Sequence, residues 1–209
     1  MIVGPAYSEY EREITLAGGR CRYYALSKER DFALDVSDFT NAIEERSDEL
    51  DLLVLCNPNN PTSGLIRRND MRAILDVCKK HSIYVLTDET YVEFTEDVAA
   101  SSAVSLAAYY NNLIILRGTS KFFATPGLRL GYAITGNDDL LSDVRQVKNP
   151  WMINSLAEIA GKLMFSDTAY IEETRALIKA ERKRLYEAFQ KTGRYYPYRP
   201  AANFMLIRI

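Results

Sequence analysis

The chain has 209 residues, of which 47% are hydrophobic and 26% charged, and its formal net charge is −2 at pH 7. These are ordinary values for a globular protein with a substantial core. A nearly neutral chain argues against nucleic-acid or membrane binding through bulk positive charge, and no apolar stretch is as long as a membrane span.

Apolar runs alternate with helical patterns along the chain. Helices are predicted at residues 8–18, 37–46, 71–78, 154–165 and 168–191, and strands at residues 22–25, 52–55, 83–88, 113–116, 130–135 and 203–207. Ser37 is the predicted N-cap of the second helix. The third carries a core-facing stripe at i, i+3, i+4 and i+7, formed by Met71, Ile74, Leu75 and Cys78. Such alternation is typical of a mainly parallel sheet with crossover helices.

An asparagine-rich segment follows the strand predicted at residues 52–55. It reads Asn57-Pro58-Asn59-Asn60-Pro61-Thr62-Ser63-Gly64. Two prolines separated by two asparagines exclude a helix or a central strand. We therefore predict a rigid turn at a strand end, called the Asn turn below, that displays amide side chains. An ordinary Asx-turn loop is the alternative.

The next strand, residues 83–88, ends at Asp88, and Tyr91 follows three residues later. Asp88 therefore places a negative charge at the carboxyl end of a strand. A helix cap is the alternative interpretation of the same residue.

Lys121 lies in a loop after the strand predicted at residues 113–116. Ser120 precedes it, and Arg129 lies eight positions further on. A lysine amine can form a Schiff base with an aldehyde, and a planar guanidinium can bind a phosphate bidentately. Pyridoxal 5'-phosphate carries both groups. Open α/β sheets bind ligands beyond the carboxyl ends of their strands, where Lys121 is predicted to lie, although a Ser-Lys pair taken alone is usually a solvated surface feature.

The ordered set of Asn turn, Asp-Tyr segment and Ser-Lys loop resembles the fold-type I pyridoxal-phosphate enzymes of the class I/II aminotransferase family. The branch with histidinol-phosphate aminotransferase and threonine-phosphate decarboxylase is the most similar. Three separated motifs in the right order make this resemblance specific. It implies a three-layer α/β/α fold with a mainly parallel sheet, in which residues 130–135 form the antiparallel strand, followed by the start of a small α+β domain.

The resemblance also implies three catalytic residues. Lys121 would form the Schiff base with the cofactor and move a proton at the substrate's α-carbon. Asp88 would pair with the ring nitrogen and hold its proton. Tyr91 would donate a hydrogen bond to the ring's phenolate oxygen.

Four further residues match cofactor contacts of the family. Asn60 would donate to the same phenolate oxygen as the tyrosine, and Tyr7 would stack on the ring. Ser120 and Arg129 would bind the phosphate, the first through its hydroxyl and the second through its guanidinium fork.

Two positions depart from the family pattern. Ser63 stands where the usual turn has glycine, and Gly118 stands where many relatives have a phosphate-binding Ser or Thr. Thr119 or the backbone amide of Gly118 are the candidates to replace that contact.

The resemblance implies that the chain is a fragment that is inactive alone. Residues 1–165 would be the large cofactor-binding domain, incomplete at its N-terminus. Residues 166–209 would be a long connecting helix and the first strand of an incomplete small domain. A Gly-rich phosphate loop would precede the chain, and the arginine that binds the substrate carboxylate would follow it.

Three functions remain open. The first is an aminotransferase acting on an amino acid or amino-acid-like phosphate and a 2-oxo acid. The second is a decarboxylase of an amino-acid phosphate, and the third is a non-catalytic effector domain of a transcription regulator. We expect small-molecule substrates and no nucleic-acid or membrane partner, with a cytoplasmic homodimer as the full-length form. No metal site is expected, because the three cysteines lack metal-ligand spacing and His81 is the only histidine.

Overall fold

The structure is a computed structural model that describes residues 1–209. Six strands form its main sheet: β1 (Ile2–Gly4), β2 (Tyr23–Ala25), β3 (Leu52–Cys56), β4 (Tyr84–Asp88), β5 (Leu113–Gly118) and β6 (Gly131–Ile134). Their order in space is β2-β1-β3-β4-β5-β6, with the first five strands parallel and β6 antiparallel to β5. The predicted α/β class, the mainly parallel sheet and the antiparallel strand are confirmed.

Seven α-helices accompany the sheet, together with five short 3-10 helices. The α-helices are α1 (Glu9–Leu16), α2 (Val36–Glu44), α3 (Arg68–Lys80), α4 (Val98–Ser101), α5 (Asp138–Val147), α6 (Ser155–Ser166) and α7 (Thr168–Thr192). The crossover helices α2 and α3 connect parallel strands, as expected for this class. None of the seven helices is both long and apolar enough to cross a membrane.

Two helix starts differ from the prediction. The predicted N-cap Ser37 is wrong, because the carboxylate of Asp35 accepts the backbone N–H of Asp38 at 3.1 Å and Ser37 lies inside α2. Helix α5 was not predicted. Its N-cap is Asn137, which accepts the N–H of Leu140 at 2.9 Å. Both caps satisfy an N–H that the first helical turn leaves free.

The hydrophobic core lies between α2, α3 and one face of the sheet. The predicted stripe of α3 is confirmed, since each of its four side chains is at most 1% exposed. The strand residues that share this core alternate along β3, β4 and β5: Leu53, Leu55, Val85, Leu113 and Ile115. Burying one such side chain stabilises the fold by about 1.5–3 kcal/mol. The core therefore fixes the three strands whose carboxyl ends carry the predicted site.

The C-terminal part consists of α7 and a small two-stranded sheet. Gly193 ends α7 in the left-handed conformation, with φ of 62°, which glycine adopts without strain. Strands β7 (Tyr196–Pro197) and β8 (Ile207–Arg208) then pair antiparallel. The strand predicted at 203–207 is wrong in extent, because β7 has only two residues and pairs with Ile207 and Arg208 alone.

Candidate active site

The three predicted functional segments lie at one edge of the sheet. Strands β3, β4 and β5 are parallel neighbours, with Cys56 opposite Asp88 and Asp88 opposite Leu116. The Asn turn follows β3, Asp88 ends β4, and the loop with Lys121 follows β5. The carboxyl ends of parallel strands are the usual ligand site of open α/β sheets.

The asparagines of the Asn turn divide into structural and free side chains. Asn57 is fully buried and donates to the carbonyls of Ile66 and Ser101, both at 2.9 Å. Asn59 donates to two protein oxygens at 3.0 and 2.9 Å. Asn60 is half-buried, and its side chain makes no hydrogen bond to the protein. Asn60 is therefore the amide of this turn that is available to a ligand.

Asp88 is held by three donors. Its Oδ1 accepts the backbone N–H of Thr90 at 2.9 Å and the hydroxyl of Thr90 at 2.6 Å. Its Oδ2 accepts the hydroxyl of Tyr10 at 2.7 Å. A carboxylate has about four acceptor positions, so Asp88 is fixed in orientation and retains an acceptor position for a further donor.

Tyr10 belongs to the site and was not predicted. It lies in the first turn of α1, where burial, followed by the charges of Cys56 and Asp88, raises the pKa of its phenol far above the usual value. Its ring meets that of Tyr7 edge to face, with centroids 5.9 Å apart. Tyr7 precedes the N-cap of α1 and Tyr10 lies in its first turn, so the nearness of the two tyrosines in sequence was the signal that could have identified it.

Tyr91 and Tyr7 differ in their surroundings. Tyr91 is half-buried, and burial, reinforced by Cys56 and Asp88, raises the pKa of its phenol. Its ring packs edge to face against Phe204 at 4.8 Å. Tyr7 is 51% exposed, so one face of its ring is accessible to a stacking partner.

Lys121 and Arg129 are the basic groups of the loop after β5. Lys121 is exposed and makes no ion pair or side-chain hydrogen bond. Arg129 adopts the left-handed conformation, with φ of 54°, and its Nη1 donates to the carbonyl of Pro126 at 3.0 Å. Most of its guanidinium donors are left unused. Ser120 is half-buried beside Lys121.

The structure removes one of the two candidates for the missing phosphate contact. Thr119 is fully buried, and its hydroxyl donates to the carbonyl of Leu130 at 3.2 Å. That hydroxyl is committed to the backbone. A Cβ placed on Gly118 would meet only Leu130 O at 3.8 Å and Ser120 Oγ at 3.9 Å, which are ordinary contacts. A side chain is therefore tolerated at Gly118.

A buried ion pair lies next to the site. Glu89 follows Asp88 and is 1% exposed, and its Oε2 accepts from Arg117 Nη2 at 2.8 Å and Nε at 3.1 Å. Arg117 also binds Glu93 at 2.9 Å, and Glu93 pairs with Arg175 of α7. Burial alone lowers the pKa of Arg117, but the two glutamates raise it above the usual value. The pair joins the ends of β4 and β5, which carry Asp88 and the Lys121 loop.

Comparison with known proteins assigns the family. The whole chain, residues 1–209, matches the family described as aminotransferase class I and II. It is 33% identical over 209 residues to the threonine-phosphate decarboxylase of Salmonella typhimurium, covering 100% of this chain and 56% of the relative. It is also 33% identical over 205 residues to the histidinol-phosphate aminotransferase of Clostridium novyi, covering 98% of this chain and 54% of that protein.

The fold comparison agrees. The solved structure of histidinol-phosphate aminotransferase from Clostridium acetobutylicum matches with a TM-score of 0.91 and 36% identity, over 100% of this chain and 60% of the other. The chain belongs to the class I and II aminotransferase family, whose members depend on pyridoxal phosphate. It spans about 56% of the length of the first curated relatives that it matches.

The residues at the strand ends fit this cofactor. Its aldehyde requires a free amine, which Lys121 has, and its phosphate requires a guanidinium and a hydroxyl, which Arg129 and Ser120 carry. Its ring requires a carboxylate at the nitrogen and donors at the phenolate oxygen. Asp88 and Asn60 have these groups available.

Proposed function

We propose that the protein containing this chain is a pyridoxal-phosphate-dependent aminotransferase that moves an amino group from an amino acid or amino-acid-like phosphate to a 2-oxo acid. The observation that carries the proposal is the division of polar side chains at the strand ends. The side-chain donors of Asn57, Asn59 and Thr119 are bound to protein oxygens, whereas Lys121 and Asn60 are free. The polar groups that have no protein partner are those that the cofactor requires, which supports a preorganised cofactor site.

Each residue has a definite task in this proposal. When bound, pyridoxal phosphate supplies a sink for the electrons released at the substrate's α-carbon. Lys121 Nζ would hold the cofactor through its aldehyde, and once the substrate amine has displaced it, the freed amine would take the proton from that carbon. Asp88, oriented by Tyr10 and Thr90, holds the proton of the ring nitrogen.

The remaining residues bind and orient. Asn60 and Tyr91 donate to the phenolate oxygen, and Tyr7 covers the ring with its accessible face. Ser120 and Arg129 hold the phosphate as a charge-assisted pair of contacts. These contacts fix the ring relative to Lys121, and orientation of this kind can supply several kcal/mol of the barrier.

Decarboxylation of an amino-acid phosphate is the second candidate. The 33% identity to the Salmonella threonine-phosphate decarboxylase over the whole chain favours it. The two reactions differ in which bond at the α-carbon is aligned for cleavage, and contacts to the substrate carboxylate set that alignment.

Incubation of the cofactor-loaded protein with two substrates distinguishes the candidates. Histidinol phosphate with 2-oxoglutarate is assayed for glutamate, and threonine phosphate is assayed for carbon dioxide. We expect glutamate from the first mixture, and none with the Lys121→Ala variant. Carbon dioxide from the second mixture alone would establish the decarboxylase. If cofactor binds and neither these two phosphates nor a panel of amino acids gives a product, the effector-domain alternative is supported.

We also propose a cytoplasmic homodimer as the full-length form. Exposed apolar side chains on α6 support an association surface: Leu156 at 73%, Ile159 at 58% and Leu163 at 66%. Cys21, Cys56 and Cys78 are free thiols, as in a reducing compartment. Sedimentation velocity at micromolar concentration should give the mass of two chains. A single-chain mass would contradict the dimer.

A further inference from the structure

Ser63 has a backbone conformation that its side chain makes costly. It lies in the Asn turn three residues after Asn60, is fully buried and has φ of 59°. This left-handed conformation strains a residue with a Cβ and suits glycine, which is the usual residue at this place. A contact made by the serine side chain must therefore offset the strain.

The hydroxyl of Ser63 binds the backbone of the C-terminal part. Its Oγ accepts the N–H of Ala202 at 2.8 Å and the N–H of Ala201 at 3.1 Å. The carbonyl of Ser63 also accepts the Ala201 N–H at 3.0 Å. Glycine could supply only the carbonyl, so the Ala202 contact depends on the serine side chain.

Arg182 of α7 holds the same two residues from their carbonyl side. Its Nη1 donates to Ala201 O at 2.8 Å and to Ala202 O at 3.3 Å, and also to Phe94 O at 2.8 Å. Its side chain is 9% exposed. The Ala201–Ala202 backbone is therefore clamped between the Asn turn and α7.

The clamped segment leads directly to the site. Phe204 follows Ala202 by two residues, and its ring packs against Tyr91 with centroids 4.8 Å apart at an angle of 76°. Tyr91 also lies near Phe94, whose ring centroid is 6.5 Å away. The position of residues 201–204 thus decides how well the Tyr91 phenol is covered.

We propose that Ser63 is a positioning residue: its hydroxyl fixes residues 201–204 on the Asn turn and thereby holds Phe204 against Tyr91. This deepens the proposed function, on which the role of Tyr91 rests. The turn that presents Asn60 to the cofactor is, in this chain, also the anchor of the C-terminal segment that covers Tyr91.

Amide hydrogen exchange measured residue by residue by NMR tests the anchor. Ser63→Gly removes the hydroxyl and relieves the strain, Ser63→Ala removes the hydroxyl and keeps the strain, and Ser105→Ala is the control at an exposed serine. We expect the Ala202 amide to exchange at least about tenfold faster in both Ser63 variants and unchanged in the control, because the amide loses its acceptor. Exchange within twofold of the unmodified protein in Ser63→Gly overturns the proposal.

A fluorine label tests the consequence at Tyr91. With 3-fluorotyrosine at position 91, the fluorine resonance reports the pKa of that phenol alone. We expect Ser63→Gly and Phe204→Ala to lower this pKa in the same direction, since both uncover the ring. A shift in Phe204→Ala without one in Ser63→Gly contradicts the proposal. Neither measurement needs cofactor or turnover, so failure of the proposed function would appear separately, as absence of cofactor attachment.

Discussion

At the scale of residues, Asp88 has both the position in the fold and the hydrogen bonds that its predicted role requires. The carboxylate stands at the last position of β4 and is oriented by Thr90 from its own loop and by Tyr10 from α1. An orienting donor on each oxygen reduces the reorganisation needed when a further proton donor arrives. This geometry supports the proposed role of Asp88 as the partner of a protonated ring nitrogen.

We expect Asp88→Asn to retain part of the cofactor binding and to lose turnover by about 10³-fold or more, because an amide cannot stabilise a protonated ring nitrogen. Half-reaction rates measured by stopped flow check this. Asp97→Asn is the matched control, since Asp97 caps α4 by accepting the Ala100 N–H at 2.9 Å. The control should leave turnover unchanged. Near-normal rates in Asp88→Asn would show that Asp88, like Asp97, only caps backbone N–H groups.

Gly118→Ser should strengthen cofactor binding. The added side chain meets only ordinary contacts and places a hydroxyl near Ser120, in the predicted phosphate site. One additional hydrogen bond of about 0.5–1.5 kcal/mol corresponds to an affinity gain of about 2- to 12-fold. Fluorescence titration with pyridoxal phosphate measures it, with Gly127→Ser as the control in open space. An unchanged or weaker affinity contradicts a phosphate site at this loop.

At the scale of residues, the sequence predicts the location of a side chain that directly follows a predicted strand. Asp88 and Lys121 follow apolar runs, so their location at the sheet edge could be inferred from the sequence alone. Tyr10 could not be assigned to Asp88 in this way, because the two are 78 residues apart in sequence. The same holds for Ser63, whose partners lie 138 and 139 residues away.

At the scale of elements, buried charge joins β4, β5 and α7. Glu89 and Arg117 bridge the two strands, and Glu93 continues the chain of charges to Arg175 on α7. The hydroxyl of Tyr170 on α7 also donates to the carbonyl of Phe122, the residue after Lys121, at 2.9 Å. Helix α7 is therefore attached to the lysine loop directly at Phe122, and through Glu93 to Arg117 of the strand before the loop.

Arg117→Met should destabilise the protein by about 3 kcal/mol or more, because it leaves Glu89 buried without its counter-charge. Urea denaturation measures the change in the free energy of unfolding. Arg12→Met is the control, since the side chain of Arg12 is 60% exposed in its ion pairs. A surface pair contributes about 1 kcal/mol at most. Equal losses in the free energy of unfolding would show that the buried pair stabilises the protein no more than a surface pair does.

A buried face was sufficient to predict a helix but not necessary, since α1 and α7 were predicted and have no buried residue. The stripe of α3 identifies its helix because all four residues enter the core. Helix α5 has no buried residue, and its remaining signal was local, namely Asn137 followed by two aspartates. The predicted strand at 203–207 was wrong in extent because its partner β7, which lies close in space, has only two residues and pairs with Ile207 and Arg208.

At the scale of the whole molecule, the chain spans about 56% of the length of its first curated relatives. We expect the 209-residue chain alone to turn over substrate at less than about 1% of the rate of a protein of the relatives' full length that contains it. The reason is that the chain covers only about 56% of the relatives' length, and the substrate orientation that supplies several kcal/mol of the barrier depends on a complete site. Transamination assays on both proteins check this, with circular dichroism to verify folding. Comparable rates would show that residues 1–209 suffice.

Attachment of the cofactor to Lys121 is the central claim, and reductive labelling tests it most directly. The protein is loaded with pyridoxal phosphate and treated with sodium borohydride, which makes the bond between lysine and cofactor permanent, and the labelled peptide is identified by mass spectrometry. We predict stoichiometric label on Lys121, loss of this label in Lys121→Ala, and retention in the control Lys183→Ala, which alters an exposed lysine of α7. Stoichiometric label on another lysine, or equal labelling of Lys121→Ala, would contradict the account.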